Sequence, residues 1–150
     1  MRKPPGLPIR ITLCILLVLT NSAWNFVRLL TSITWFQVLE FYAPQPSPVY
    51  IGMTGAIWAT GGFLVAWGLL RRSQWALRGL LIGAWLYAAW TWLDRVLLQA
   101  GGPPNWGFTL VTNIVLLGFI TAVALDRRIN ILFRKEAHER EPQDPSDARG

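Results

Sequence analysis

Long apolar runs, each about the length of a membrane-spanning helix, dominate the pattern of the chain. Four blocks stand out, at 11–42, 49–70, 79–99 and 106–125. A helix that crosses a bilayer needs roughly 20 predominantly apolar residues, and every block reaches that length. Between residues 11 and 125 the charged residues are few: Arg28, Glu40, Arg71, Arg72, Arg78, Asp94 and Arg95. The pattern therefore predicts an all-α integral membrane protein built as a four-helix bundle.

The first block is longer than one crossing requires. From Ile11 to Tyr42 a continuous helix would extend roughly 48 Å at 1.5 Å per residue, whereas the hydrocarbon layer is only about 30 Å thick. The block is therefore either one long, tilted helix that protrudes or a span followed by a helix in the outer interface. Thr34, Gln37 and Glu40 recur at every third position between apolar residues, which is typical of a segment lying partly among headgroups.

The end of the chain differs in composition from the rest. The segment "DRRINILFRK", from Asp126 to Lys135, mixes cations with large apolar residues and predicts a helix along anionic headgroups. The remainder, 136–150, has no large apolar residue and is expected to be disordered. The predicted organisation is thus a four-span domain over 1–135 and a disordered cytoplasmic tail over 136–150.

Basic residues sit at alternate ends of the apolar blocks. They precede the first block, join the second to the third and follow the fourth, whereas the connections "APQPSP" and "AGGPP" contain no Lys or Arg. The positive-inside rule then predicts that both termini are cytoplasmic, and we expect a bacterial inner membrane protein. The net charge of +6 accordingly indicates headgroup anchoring and orientation, and no nucleic-acid partner is expected.

The N-terminal segment has the basic start and apolar core of a signal peptide. A cut after Ala23 would place Asn21 three residues before the cleavage site, where a small residue is required, and the apolar run continues well past that point. We therefore expect the first block to be retained as a span.

A faint internal repeat relates the two halves of the chain. "TWFQVLEFYAPQP", from Thr34, resembles "TWLDRVLLQAGGP", from Thr91. Each copy precedes a further apolar block that ends in paired arginines. One interpretation is two helical hairpins in parallel repeat; the other is a coincidence between two Trp-bearing helix ends. The sequence leaves both open.

The residues needed for common reaction chemistries are scarce. Cys14 is the single cysteine and His138, in the polar tail, is the single histidine. One thiol cannot form a disulfide or a thiolate metal cluster, so no metal site and no cofactor are predicted. Glycine-rich phosphate loops, paired catalytic carboxylates and nucleophile–base sets are also absent from the sequence. The pattern therefore favours a protein that is not an enzyme.

Polar residues inside the apolar blocks are the strongest candidates for a binding site. Ionisable groups within a membrane are costly and usually pair inside a bundle, and Arg28 and Asp94 lie at similar predicted depths. We expect them to form an ion pair beside an outer-leaflet polar pocket that binds a lipid headgroup, quinone or anion. The alternative is that Asn and Thr hydrogen-bond neighbouring helices together. The candidate pocket comprises Asn21, Asn25, Arg28, Tyr87, Thr91, Asp94 and Asn113.

Small residues at every fourth position of the second block predict a helix-packing face. Gly52, Ala56 and Thr60 form this face, and small side chains let helix backbones approach closely. It would pack within the chain or against another subunit. The leading hypothesis is therefore a small accessory, scaffold or assembly protein in a homo-oligomer or larger membrane complex. The alternative hypothesis is a small-molecule binder or transporter that uses the pocket around Arg28 and Asp94.

Overall fold

The computed structural model describes residues 8–42, 46–98 and 105–140, which form six α-helices and no strand. The helices are α1 (Ile9–Thr34), α2 (Phe36–Tyr42), α3 (Pro48–Leu70), α4 (Gln74–Leu98), α5 (Trp106–Leu125) and α6 (Arg127–Arg140). The predicted tail begins at residue 136, but α6 continues to Arg140; residues 141–150 lie outside the described part of the chain.

The first apolar block consists of a long helix followed by a short one. The helical geometry is interrupted at Trp35, where φ is −112° and ψ is 25°. Backbone hydrogen bonds continue across the break, because the Trp35 N–H donates to the Thr31 carbonyl at 3.0 Å and the Leu39 N–H donates to the Trp35 carbonyl at 2.9 Å. Of the two alternatives, the chain adopts a separate helix α2 after α1.

Three helices are long and apolar enough to cross a membrane: α1, α3 and α5. The predicted four-helix bundle is thus not confirmed, because there are six helices and three candidate spans. Helix α4 is 25 residues long, which is sufficient length. It is not among the three candidate spans, and Arg78, Asp94, Arg95, several Trp residues and Tyr87 interrupt its apolar sequence. Sufficient length alone therefore does not make a helix a candidate span, because its composition must also be apolar enough.

The four long helices are arranged as a ring. Helix α1 packs against α3, α3 against α4 and α4 against α5, and α5 returns to α1 through a small contact. Within the described residues the backbones of the diagonal pairs, α1 with α4 and α3 with α5, do not approach each other. The centre of the ring is therefore bounded by side chains from all four helices.

One end of the ring, which we call the closed end, holds the hydrophobic core. Here α6 turns across the bundle and buries Ile129 and Phe133, and Arg10 forms an ion pair of 3.2 Å with Asp126 between α5 and α6. Asp126 also accepts a hydrogen bond from the Arg128 N–H at 2.9 Å, which fixes the start of α6. The buried cluster comprises Ile11, Cys14, Ile15, Leu69, Ala76, Leu77, Leu80, Val123, Ile129 and Phe133.

The contact between α1 and α3, which we call the seam, is the closest helix pairing. A Cβ atom added at Gly55 would lie 2.8 Å from the Asn25 carbonyl oxygen and 3.0 Å from the Leu29 nitrogen. Toward the closed end, Gly62 similarly faces Ser22. The helix backbones approach this closely only because these positions have no side chain.

A tight turn connects α3 to α4 at the closed end. Arg72 has a φ of 52°, and the Ser73 N–H donates to the Gly68 carbonyl at 2.9 Å, which is the hydrogen bond of a Schellman C-cap. Because the turn is so short, α3 and α4 are antiparallel neighbours in the ring.

Candidate binding site

The seven predicted pocket residues lie in two separate places. Asn21, Tyr87 and Asn113 line a cavity at the centre of the ring, which we call the ring cavity. Asn25 adjoins it through a contact with Tyr87. Arg28, Thr91 and Asp94 do not line this cavity. The single outer pocket predicted from helix faces is therefore divided into a central site and a charged cluster nearer the other end of the ring.

The ring cavity has a volume of about 340 Å³. This is at the lower end of the range of roughly 300–1,000 Å³ that is usual for small-molecule sites, and much larger than a single buried water requires. Apolar side chains and glycines form most of its wall. Its apolar and glycine lining residues are Leu17, Val18, Ile57, Gly61, Gly62, Val65, Gly79, Leu80, Gly83, Ala84, Ala88, Leu116, Leu117 and Ile120.

Tyr87 supplies a polar group to the wall beside Trp58, and Asn25 adjoins it. The Asn25 Nδ2 group donates to the Asn21 carbonyl at 2.9 Å and makes a longer contact of 3.5 Å with the Tyr87 hydroxyl. The Tyr87 ring meets Trp58 edge to face, with centroids 5.0 Å apart and planes at 87°. Packing thus holds the Tyr87 hydroxyl in place between α1 and α4.

One amide oxygen at this level has no protein partner in the described part of the chain. Asn25 is fully buried, and its Oδ1 atom has no hydrogen bond within the described part of the chain. Asn21 and Asn113 contribute further amide side chains to the cavity wall. An unsatisfied polar group costs free energy in an apolar medium. The Asn25 Oδ1 atom is therefore an unused hydrogen-bond acceptor on α1, beside the cavity.

The second group of residues, which we call the charged cluster, centres on Tyr50 in α3. Its hydroxyl donates to Asp94 Oδ1 at 2.7 Å, and its ring stacks on Trp90 with centroids 5.8 Å apart. On α1, Arg28 follows Asn25 by one turn on the same face, and Asn25 contacts Tyr87 of α4. Tyr50 therefore connects α3 to α4 at the level where α1 contributes a cation.

The predicted ion pair between Arg28 and Asp94 is not formed. No ion pair joins Arg28 to Asp94 in the described part of the chain, and Asp94 instead accepts a hydrogen bond from Tyr50. Equal depth along two helices did not bring the charges together, because α1 and α4 are diagonal in the ring and α3 supplies the closer partner. Thr91 donates to the Tyr87 carbonyl at 2.8 Å within its own helix.

The observed packing face of α3 is offset from the predicted one. Gly52 lies against Ser32 of α1, as a packing residue would, but Ala56 is half-buried and Thr60 is exposed. The positions that contact α1 closely are Gly52, Gly55 and Gly62, at spacings of three and seven. Antiparallel helices in contact repeat at both three and four residues, so a strict spacing of four drifts away from the seam.

Tyr50 and Trp58 are the residues that the sequence analysis missed. Both lie on α3 and face α4, but an isolated Tyr or Trp in an apolar block is usually an interface anchor or a packing residue. The sequence carries no signal that separates those roles from contact with Asp94 or Tyr87.

The residues present give no indication of a metal centre. Within the described ranges, no three His, Cys, Asp or Glu side chains are grouped so that they could hold a metal ion. The arrangement is instead suited to binding: an apolar chamber with amide and phenol groups on its wall, and a separate cluster of opposite charges. No family model, no curated protein and no solved structure matches the chain.

Proposed function

We propose that this chain is a four-span protein of a bacterial inner membrane, with both termini in the cytoplasm, that binds a lipid-like small molecule in the ring cavity. Helix α4 is the fourth span in this proposal. Its 25 residues extend about 37 Å, and its neighbours in the ring, α3 and α5, are both apolar enough to cross. The closed end, which carries the arginines of the α3–α4 turn and of α6, faces the cytoplasm.

The observation that carries the binding proposal is the size and lining of the cavity. A volume of about 340 Å³ lies within the range of roughly 300–1,000 Å³ that is usual for small-molecule sites. Its wall is mostly apolar, with amides from Asn21 and Asn113 and the Tyr87 hydroxyl. This combination fits a molecule with an apolar body and one neutral polar group that accepts or donates hydrogen bonds.

Access from the bilayer is consistent with the helix arrangement. Helices α1 and α5 make little contact with each other, and the ion pair that joins the start of α1 to the residue after α5 is at the closed end. The least closely packed part of the wall therefore lies between α1 and α5, away from that end, where a molecule could enter sideways from lipid.

Filling the cavity tests this proposal. A Cβ atom at Gly83 would meet nothing within 4 Å, and Gly83 lines the cavity, so Gly83→Leu inserts a side chain into the chamber without a clash at its base. Gly118→Leu is the matched control, because Gly118 is also open at its Cβ position but does not line the cavity. Both variants, carrying a C-terminal tag, are extracted in mild detergent and their copurifying small molecules identified by mass spectrometry.

We expect the wild type and Gly118→Leu to retain the same amphipathic molecule, and Gly83→Leu to lose it by tenfold or more. Equal retention in all three would contradict the proposal. A stoichiometric protein partner, with no small molecule in the wild type, would instead support the second candidate, an accessory or assembly protein. Exposed apolar side chains along α5, such as Val111, Ile114 and Val115, would then contact that partner as well as lipid.

A further inference from the structure

The charged cluster holds a cation and an anion that are not joined to each other. Tyr50 donates to Asp94 Oδ1. Arg28 follows Asn25 by one turn on the same face of α1, and Asn25 contacts Tyr87 of α4, yet no ion pair joins Arg28 to Asp94 within the described chain. Arg28 and Asp94 are each half-buried. Partly buried charges are costly unless they are paired and hydrogen-bonded, so a cation and an anion here are both available to a ligand.

The depth of the cluster corresponds to the headgroup region at the outer end of the ring. Arg28 lies about 28 Å along α1 from Ile9, and Asp94 about 30 Å along α4 from Gln74, at 1.5 Å per residue. The hydrocarbon layer is about 30 Å thick. With the closed end at the cytoplasmic interface, both charges reach the level of the outer phosphates.

We propose that the charged cluster binds the phosphoethanolamine headgroup of a phospholipid. Arg28 would bind the phosphate, because a guanidinium matches phosphate geometry with two parallel N–H donors. The second carboxylate oxygen of Asp94, which has no hydrogen bond in the described residues, would accept from the ammonium group. Tyr50, held by its stacking on Trp90, orients the carboxylate. This inference depends on the membrane orientation proposed above but not on a ligand in the ring cavity.

The same chemistry distinguishes phosphoethanolamine from other headgroups. Phosphocholine has a quaternary ammonium without N–H groups, so it cannot donate to Asp94. Phosphoglycerol has the phosphate but no cation, and would leave Asp94 without a cationic partner. Arg95, the half-buried neighbour of Asp94, adds a second positive charge nearby.

The test uses the full chain in nanodiscs that contain equal amounts of phosphatidylethanolamine, phosphatidylcholine and phosphatidylglycerol. Native mass spectrometry after release from the nanodisc measures which lipid stays bound. We expect the wild type to retain phosphatidylethanolamine about tenfold over phosphatidylcholine, the effect of one charge-assisted hydrogen bond. Arg28→Gln should lower retention of every phospholipid. Asp94→Asn should shift the preference from phosphatidylethanolamine to phosphatidylglycerol.

Arg95→Gln is the matched control, since it removes a neighbouring cation and should leave the preference unchanged. Tyr50→Phe keeps both charges but removes the hydrogen bond to Asp94, and it should reduce the preference for phosphatidylethanolamine. It is the variant to use in place of Asp94→Asn where the latter does not fold. Equal retention of phosphatidylethanolamine and phosphatidylcholine by the wild type would overturn the proposal, as would an equal loss in Arg28→Gln and Arg95→Gln. Displacement of bound lipid by free glycine at low concentration would assign the cluster to a soluble zwitterion instead.

Discussion

The two helical hairpins of this protein are packed in different ways. In the first, α1 and α3 meet along the seam, where Gly55 brings the helix backbones almost into contact. In the second, α4 and α5 contact each other far less extensively. Gly107 and Gly118, the glycines of α5, have nothing within 4 Å of their Cβ positions. The ring cavity is lined by both hairpins, and Gly62 of the seam forms part of its wall.

The difference illustrates what holds helices together in an apolar medium. Helix α5 is more hydrophobic than α1, with a mean hydropathy of 2.2 against 1.6 over its best window, yet it is the more loosely packed. Lipid tails are as apolar as leucine side chains, so hydrophobicity does not drive span association. Close packing between small residues drives the association of spans instead. The seam has these residues on both sides, with Ser22 and Ser32 facing glycines of α3.

The predicted internal repeat does not extend to this packing. At the offset of 57 between the repeated segments, the seam residues Gly55 and Gly62 correspond to Thr112 and Phe119. Residues of that size cannot form the same close contact. The repeat itself stays a prediction.

The largest effect should come from a substitution that pushes the seam apart. Gly55→Leu places a large side chain against the backbone of α1 and should lower the free energy of unfolding by about 3 kcal/mol. Gly61→Leu, on the same helix but open to the ring cavity, should change it by less than about 0.5 kcal/mol. Equilibrium unfolding in mixed micelles, followed by tryptophan fluorescence, measures both. Equal effects would show that the seam is no tighter than the cavity side.

An intermediate effect should come from the closed end, where α6 covers the bundle. Ile129 is 4% exposed and Ile131, on the same helix, is 65% exposed. Ile129→Val should lower the free energy of unfolding by about 1 kcal/mol, the usual cost of removing one buried methylene, whereas Ile131→Val should have no measurable effect. The same unfolding measurement applies. A cost for Ile131→Val equal to that for Ile129→Val would mean that α6 is not packed as described.

The smallest effect should be the coupling between the two hairpins through Asn25 and Tyr87. Their contact is long, at 3.5 Å, and hydrogen bonds between membrane helices contribute about 0.6 kcal/mol on average. A double-mutant cycle with Asn25→Ala and Tyr87→Phe should therefore give a coupling energy of about 0.5 kcal/mol. A value above about 2 kcal/mol would show that the hairpins are held together by this contact rather than by the closed end.

Sequence patterns predicted the helices well and the polar residues in part. Long apolar blocks locate α1, α3, α4 and α5, because a run of about 20 mostly apolar residues is a local property of the chain. The same patterns identified Asn21, Asn25, Tyr87 and Asn113 as unusual. They did not identify Tyr50 as the partner of Asp94, since that pairing depends on which helices are neighbours.

The sequence by itself determined an all-helical chain with apolar helices able to cross a membrane, because composition and helix length are sufficient for that conclusion. Only the tertiary structure decided that the helices form a ring, that Gly55 rather than Ala56 or Thr60 lies in the seam, and that Arg28 and Asp94 are not paired. The physical reason is that neighbour relations and helix rotation depend on packing between distant segments. Spacing along one helix restricts which residues share a face but does not choose the helix that the face meets.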